Sequence, residues 1–400
     1  MDVIVQKYGG SSLSTLDKID ALAAAIARRE AGDERLVLVV SAMGNTTDEL
    51  LKMAHTLNKA PPAREVDMLL TTGEQVSVAL MAIALAKHGA DAISFTGGQV
   101  GIRTSEHHTN ARVESVSADR ILPHLQERRI VIVAGFQGVA EDDSLTTLGR
   151  GGSDITAMAL AVALKAKRLE KYTDREGVFT ADPRLHPGAR TIPRLSYQEM
   201  LEMSHTGAKI LHPRAVFFAW KYGVPIFVRE SMGDGSGTLI EEMEENVEQA
   251  IIRGVTHDAN VAKITVYDVP DVPGAASTIF EELAKREIGV DMIVQSNTEE
   301  ATNRISFTIK RADVATTVKA LNALDMKGAK VQADPEVARV SLVGLGIKTE
   351  TAVASRMFRA LADSGINIQM IATSDVKISC VISEVQVKEA VQAVCKTFGL

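Results

Sequence analysis

Short runs of Val, Ile and Leu alternate with amphipathic helical stretches through the first half of the chain, and nothing else in the sequence restricts its fold as strongly. Val3 to Val5, Leu36 to Val40, Ala92 to Phe95 and Ile130 to Ala134 read as strands. Helical patterns run from Leu16 to Arg29, Thr47 to Leu57, Gly73 to Lys87 and Asp154 to Lys165, with a short apolar segment from Ile121 to Gln126. Strands that are apolar throughout and separated by helices predict an α/β fold, a mainly parallel sheet covered on both faces. Such sheets take ligands at the carboxyl ends of their strands, so chemistry is expected in the loops after Val5, Val40 and Val133.

The pattern changes near Gly233-Asp234-Gly235-Ser236-Gly237, a turn-rich stretch followed by the acidic run Glu241 to Glu248, and a domain boundary is placed there. At 400 residues the chain exceeds one ordinary core, and about 150 residues per domain suggests two or three. Beyond the boundary lies an internal repeat. Ala276, Phe280, Leu283, Ala284, Ile288, Val290, Met292 and Ile293 recur 78 residues later as Ala354, Phe358, Leu361, Ala362, Ile366, Ile368, Met370 and Ile371. In each copy a strand (Ile264 to Tyr267; Val340 to Val343) leads through a loop into a helix and then another strand, an order that suits a small β-α-β-β-α-β unit. Two chance amphipathic helices would not match in spacing on both sides.

A net charge of −7 with interspersed signs gives no basic face for nucleic acid. Cys380 and Cys395 both sit in apolar stretches, which suggests buried thiols in a reducing compartment, and the protein is read as cytoplasmic. No apolar run reaches the roughly 18 residues of a membrane span, so no membrane partner is expected.

Four segments carry polar residues that folding alone does not require. Lys7-Tyr8-Gly9-Gly10-Ser11-Ser12 stands where the first strand hands over to a helix. Adjacent glycines let main-chain N–H groups converge on an anion, the helix adds its positive end, and Lys7 would supply mobile charge. A tight turn with a solvated lysine is the alternative. Ser41-Ala42-Met43-Gly44-Asn45-Thr46-Thr47-Asp48 opens a strand end into hydroxyls, either capping the next helix or presenting Ser41 and Thr47 to a ligand. Phe136-Gln137-Gly138 and then Leu148-Gly149-Arg150-Gly151-Gly152-Ser153-Asp154 put a guanidinium, suited to bidentate carboxylate or phosphate contact, in a glycine loop before the long helix. Asp154 could equally be only that helix's N-cap. Tyr172-Thr173-Asp174 through Phe179 to Arg184 reads as a nucleotide-edge loop or a solvated connector. His107, His108, His205, His212 and His257 show no metal-ligand spacing and read as surface or supporting groups, so no metal site is expected. Met200, Met203, Met292 and Met370 fit packing patterns, where methionine fills irregular gaps.

Together with Gly73-Glu74 and Gly207-Ala208-Lys209-Ile210-Leu211-His212-Pro213-Arg214, these segments occur in an order that resembles the aspartokinases over nearly the whole chain. The resemblance implies an amino acid kinase domain over residues 1–240 and two ferredoxin-like βαββαβ ACT modules, over 262–335 and 338–400. It implies ATP-dependent phosphorylation of the side-chain carboxylate of L-aspartate, the entry step toward lysine, threonine and methionine. Lys7 and Lys209 would approach the phosphates, Tyr8, Gly9, Gly10 and Ser11 would cradle them, and Asp154 would hold the lysines. Thr173, Asp174, Phe179 and Arg184 would meet the adenosine and phosphate side, and Mg²⁺ would travel with ATP. For aspartate, Arg150 would grip a carboxylate and Glu74 would pair with the ammonium, while Ser41, Thr47, Gly151, Gly152 and Ser153 would orient the remainder. A carboxylate nucleophile is already ionised at neutral pH, so such chemistry rests on alignment and charge neutralisation rather than on a strong base.

In the first ACT loop the resemblance points to Asp271, Gly274, Ala275 and Ala276, with Gln295, Asn367, Ile368, Thr373 and Ser374, as a threonine-type effector site; lysine is the second candidate effector. Two stretches depart from the family pattern. Arg175-Glu176-Gly177 stands where the adenine loop commonly reads Val-Asp-Gly. Gly346-Ile347-Lys348-Thr349-Glu350-Thr351-Ala352-Val353 lacks the usual proline and following glycine, so the second, usually lysine-dependent pocket loses its expected turn. Sheet edges in paired ACT modules commonly join across chains, which predicts a homo-oligomer. The rival readings are an amino acid kinase acting on glutamate, acetylglutamate, carbamate or UMP, and a silent amino acid sensor. The twin ACT modules speak against the first and the intact set of charges against the second.

Overall fold

The computed structural model describes residues 1–29, 33–233, 235–243, 251–297, 302–324, 326, 328–348 and 350–400. Asp234 of the boundary turn, residues 244–248 of the acidic run and Thr349 of the second ACT loop lie outside them. The chain divides into two compact units, one of Met1–Val178, Thr191–Ser204 and Lys209–Glu245, the other of Phe179–Arg190, His205–Ala208 and Asn246–Leu400.

The first unit begins with β1 (Val3–Tyr8), a single helical turn at Gly10–Leu13, α1 (Leu16–Arg29), β2 (Arg35–Val40), α2 (Thr46–Leu57), α3 (Ala63–Lys87) and β3 (Ala92–Phe95). It continues through β4 (Ile102–Thr104), β5 (Val113–Val116), α4 (Leu122–Gln126), β6 (Ile130–Ala134), β7 (Gln137–Val139), β8 (Leu145–Thr147), α5 (Gly152–Ala163) and β9 (Arg168–Thr173). After these come β10 (Arg194–Ser196), α6 (Tyr197–His205), α7 (Pro213–Tyr222), β11 (Ile226–Glu230) and β12 (Thr238–Glu241). Eight strands form one sheet in the order β10-β12-β11-β9-β1-β2-β6-β3, in which only the β11–β12 pairing is antiparallel. The expected parallel sheet is therefore present, and β1, β6 and nearly all of β2 are buried on both faces.

Side chains alternate across each strand, which separates two environments. Ile4 and Tyr8 join Leu38, Val40, Ile132 and Tyr172 under α1 and α3. The intervening residues of β1, Val5 and Lys7 among them, face the side where α5 lies. The helix expected from Gly73 begins ten residues earlier, because an apolar face continues through Val66 and Leu70 and Gly73 is tolerated inside it. By length and composition α3 is apolar enough to cross a membrane, but it packs on α1 and its own sheet as a core helix. A second, four-stranded sheet, β5-β4-β7-β8, carries the loop leading into α5.

The second unit holds β13 (Ile251–Asp258), β14 (Val261–Pro270), α8 (Ala275–Ala284), β15 (Val290–Asn297), β16 (Thr302–Lys310), α9 (Val314–Asn322) and β17 (Lys330–Asp334). The repeat follows as β18 (Val337–Leu345), α10 (Thr351–Asp363), β19 (Met370–Thr373), β20 (Lys377–Ser383) and α11 (Val387–Phe398). Two antiparallel sheets result, β15-β16-β14-β17 and β13-β18-β20-β19. Both have the same internal order, but the second copy reaches it differently. Its own segment ends on α11, and β13, which precedes the first copy, supplies the missing strand by pairing with β18. One module is thus inserted into the chain of the other. Met292, Met370, Val261, Val337 and Val381 pack together between the modules, and Lys263 donates to Gln369 at 2.8 Å. Cys380 and Cys395 are free and buried, and burial pushes their thiols up to about 12 and about 11.

Candidate active site

Four strand ends of the first unit converge where the parallel sheet meets the start of α5. The N–H of Ser41 donates to the carbonyl of Tyr8 at 3.1 Å, and the N–H of Gly135 to the carbonyl of Val40 at 3.0 Å. Gly10 is packed so tightly here that a Cβ would stand 2.8 Å from the Ala42 carbonyl oxygen and 2.9 Å from that of Gly44. Any side chain would push the two loops apart, so the glycine turn is fixed by backbone contact.

Asp154 lies in the first turn of α5, which Gly151 opens from a left-handed conformation (φ 77°). Its carboxylate is buried and gripped on both oxygens: Lys7 Nζ is 3.0 Å from Oδ1 and Lys171 Nζ is 2.5 Å from Oδ2. The N–H of His212 also donates to Oδ2, at 3.2 Å. Burial alone would raise this carboxyl, but the two ammonium groups outweigh it and hold it well below the usual carboxylate range. Asp154 is therefore a charged hub rather than only a cap.

Lys171 is absent from the sequence reading, which gave Lys209 as the partner of Lys7. Lys209 is exposed and does not pair with Asp154; its loop reaches the hub through the main chain of His212, three residues on. A signal for Lys171 does exist. Glu170 and Lys171 are charges inside a strand flanked by Leu169 and Tyr172, and charge in the middle of a buried parallel strand needs a partner or a purpose. Glu170 has its partner on the opposite face, where Arg29 reaches it at 2.8 Å and holds its carboxyl down to about 2 against the effect of burial. Tyr8 belongs to that face too, stacked on Tyr172 with ring centroids 4.7 Å apart, so only its main chain is available to the glycine turn.

Beside the hub is a second acidic position. Glu74 on α3 is buried, accepts the Ala42 N–H at 3.1 Å on Oε1, and has no hydrogen-bond partner at Oε2 among the described residues. Burial raises it to about 7, less the help of the Ala42 N–H. Ser41 Oγ donates to Ser153 Oγ at 3.0 Å, tying the β2 loop to the start of α5. Thr47 is half-buried at the start of α2, and its neighbour Asp48 is the partner of Arg150 at 3.4 Å. The Arg150 side chain is 90% exposed, so it overhangs the site from solvent. Ser11 is exposed, with its carbonyl accepting from Lys18 at 3.0 Å. The Thr173 carbonyl accepts the Ser231 N–H at 2.9 Å, and its hydroxyl donates to Asp174 at 3.0 Å. Phe179 and Arg184 belong to the second unit, where Arg184 pairs with Asp182 at 2.7 Å. Among the described residues no group of three or more His, Cys, Asp or Glu side chains is placed to hold a metal ion.

In the second unit Asp271, expected as an effector contact, accepts from Asn303 at 2.9 Å, a neighbour that sequence reasoning missed. Asn303 stands opposite Val269 across the β14–β16 pair, a relation visible only once the register is known. Gly274 caps α8 at φ 96°, a conformation that a side chain would resist. The corresponding cap of α10 is Glu350 in an extended conformation (φ −106°), so the second loop starts its helix without that turn. Gln295 and Thr373 are exposed on β15 and β19, each the edge strand of its sheet, and Asn367 is exposed just before β19. Ile368 is half-buried against the second module's core, and the Ser374 N–H donates to the Lys377 carbonyl in the β19–β20 turn.

A buried acid holding amines at the carboxyl edge of a parallel sheet, beside a glycine turn and a helix start, is an arrangement suited to binding phosphate. Residues 2–230 match the amino acid kinase family, and residues 267–324 and 340–398 match the ACT domain. The whole chain is 46% identical to the aspartokinase of Geobacillus stearothermophilus, over 98% of that protein, and 45% identical to aspartokinase 2 of Bacillus subtilis, also over 98%. Among solved structures, E. coli aspartokinase III in complex with aspartate and ADP superposes with a TM-score of 0.86 at 26% identity, covering 100% of both chains. The lysine and aspartate complex of the same enzyme gives 0.75 at 25% identity, over 98% of this chain and 99% of that one. The chain belongs to the aspartokinase family.

Proposed function

We propose that the protein transfers the terminal phosphoryl of ATP to the side-chain carboxylate of L-aspartate, giving 4-phospho-L-aspartate. The observation that carries this reading is the clamp of Lys7 and Asp154 beside the Gly9-Gly10 turn, with the unpartnered carboxylate oxygen of Glu74 on α3, whose other oxygen accepts the Ala42 N–H. Amines and turn N–H groups stabilise charge on the transferred phosphoryl, and the helix start of α5 adds to them. Lys209, carried by the His212 loop, is assigned a phosphate contact, with Tyr8, Gly9, Gly10 and Ser11 contributing main chain. Glu74 takes the substrate ammonium. Arg150 swings from Asp48 to a substrate carboxylate, which its exposure leaves it free to do, and Ser41, Thr47, Gly151, Gly152 and Ser153 complete that side. Thr173 and Asp174 are assigned to the nucleotide. Mg²⁺ would travel with ATP and would supply charge neutralisation there, while the Asp154 carboxylate faces the two ammonium groups rather than the metal.

The catalytic domain is assigned to residues 1–240 and the regulatory modules to 262–335 and 338–400, the latter completed by β13. The lysine complex of the E. coli relative supports an amino acid effector at the ACT modules. Threonine is assigned to the first loop through Asp271, Gly274, Ala275, Ala276 and Gln295, with Asn367, Ile368, Thr373 and Ser374 from the second module, and lysine is the second effector to test. The exposed edge strands favour a homo-oligomer joined through the ACT modules, and the reaction is placed in the cytoplasm as the first step toward lysine, threonine and methionine. A coupled ADP-release assay with aspartate, glutamate and acetylglutamate as acceptors, each repeated with threonine, lysine and both, tests the whole reading. Turnover with aspartate alone among the acceptors supports it; preference for another acceptor, or none with any, rejects it.

A further inference from the structure

Two amines and one carboxylate do not balance, and the surplus charge lies in the interior. Lys7 and Lys171 are direct partners in the parallel β1–β9 pairing, so their side chains leave the sheet side by side on the face where α5 lies. Each is only 10% exposed along its side chain, and Asp154, between them, is 5% exposed. Among the described residues the charged groups that face Lys171 are Asp154 and Lys7; its partner on β11 is the apolar Val228. One acid neutralises one ammonium, and the N-terminal end of α5 brings partial positive charge to the same place. A buried, uncompensated cation is costly, and one carboxylate cannot neutralise both the Lys171 ammonium that donates to its Oδ2 and the Lys7 ammonium 3.0 Å from its Oδ1. A bound polyanion would offset that cost.

On the phosphotransfer reading given above, we propose that Lys171 is a further phosphoryl-binding cation of this centre, beyond Lys7 and Lys209, acting with Lys7 on the terminal phosphate of the nucleotide while Asp154 holds the Lys7 and Lys171 amines in place. The burial that makes this charge expensive also lowers the Lys171 ammonium to about 8, with Asp154 partly offsetting the effect. Around neutral pH it is still mostly charged, and it discharges within the range where rates are easily measured.

Lys171→Met and Lys171→Arg test the proposal through the pH profile of kcat/KM for MgATP, which reports groups of the free enzyme. Wild-type enzyme should lose kcat/KM above pH about 8. Lys171→Arg should keep its charge and lose that limb, and Lys171→Met should be flat from pH 7 to 9.5 at a level about 10²-fold lower, as for removal of one donor to developing charge. A Lys171→Met enzyme within about threefold of wild type, or an arginine variant with an unchanged alkaline limb, overturns the proposal. Should circular dichroism show the methionine variant unfolded, the limb of the arginine variant decides alone. Calorimetric titration with MgATP needs no acceptor, so it separates this inference from the choice of substrate. Weaker binding by at least tenfold in Lys171→Met supports the inference even if aspartate is not phosphorylated, and equal binding refutes it even if aspartate is.

Discussion

Glu74 offers the sharpest use of pH. Its carboxyl is buried and raised to about 7, so in the empty site near neutrality it is an even mixture of acid and anion. A substrate ammonium needs the anion. With a pKa near 7, about nine-tenths is protonated at pH 6 and about one-tenth at pH 8, so KM for aspartate should rise about tenfold between pH 8 and pH 6. Turnover at saturating aspartate should change little, because the bound ammonium keeps the carboxylate ionised. Glu74→Gln should abolish this pH dependence and weaken aspartate binding by about 10- to 100-fold, the usual effect of losing a charge-assisted hydrogen bond. Stability should move the other way. The folded state favours the neutral acid, so the cost of ionising it is absent below the ordinary glutamate value of 4.5, grows as pH rises toward 7, and is fully present above. That cost is about 3 kcal/mol. Glu74→Gln should therefore match wild type in melting temperature near pH 4.5 and exceed it at pH 8. Initial rates over a grid of aspartate concentration and pH, with melting curves at both pH values, provide the test. A KM for aspartate that is constant from pH 6 to 8, or a glutamine variant retaining the wild-type slope, refutes the assignment.

Asp154→Asn strands two buried ammonium groups and should cost about 3–5 kcal/mol, read as a fall of roughly 6–20 °C in melting temperature; a change under about 1 °C contradicts the charged-hub description. Asp271→Ala removes the acceptor held by Asn303 and should weaken threonine inhibition with little change in uninhibited turnover, so an unaltered inhibition curve places the effector elsewhere. The exposed edge strands β15 and β19 predict a homo-oligomer, and a monomeric mass by light scattering at micromolar concentration excludes it.

Elements that are apolar on both faces were legible because burial leaves no choice of residue: β2 and β6 stand where the Val and Ile runs of the sequence place them. The ACT repeat was legible because a helix packed on a sheet fixes the spacing of Phe280 and Leu283, and again of Phe358 and Leu361. Pairings between distant segments were not. Nothing local in Ile251–Asp258 says that it completes the second module rather than preceding the first, since strand order is decided by long-range contacts. The short strands β4, β5, β7 and β8 mix polar and apolar residues over three or four positions, too few for a period to show. The same limit explains the site. Lys7, Asp154 and Glu74 sit in recognisable motifs, whereas Lys171 acquires meaning only when β9 is known to lie against β1, which sets its ammonium beside that of Lys7.

The account stands or falls on whether this cluster moves a phosphoryl group onto a side-chain carboxylate. Hydroxylamine displaces phosphate from an acyl phosphate to give a hydroxamate, which is coloured once complexed with added ferric iron, so ATP, Mg²⁺ and aspartate incubated with hydroxylamine report the bond directly. Wild-type protein should form hydroxamate in step with ADP release, and a folded Lys7→Ala protein should form it at least 10²-fold more slowly. ADP release without hydroxamate, or an alanine variant as fast as wild type, would contradict the mechanism.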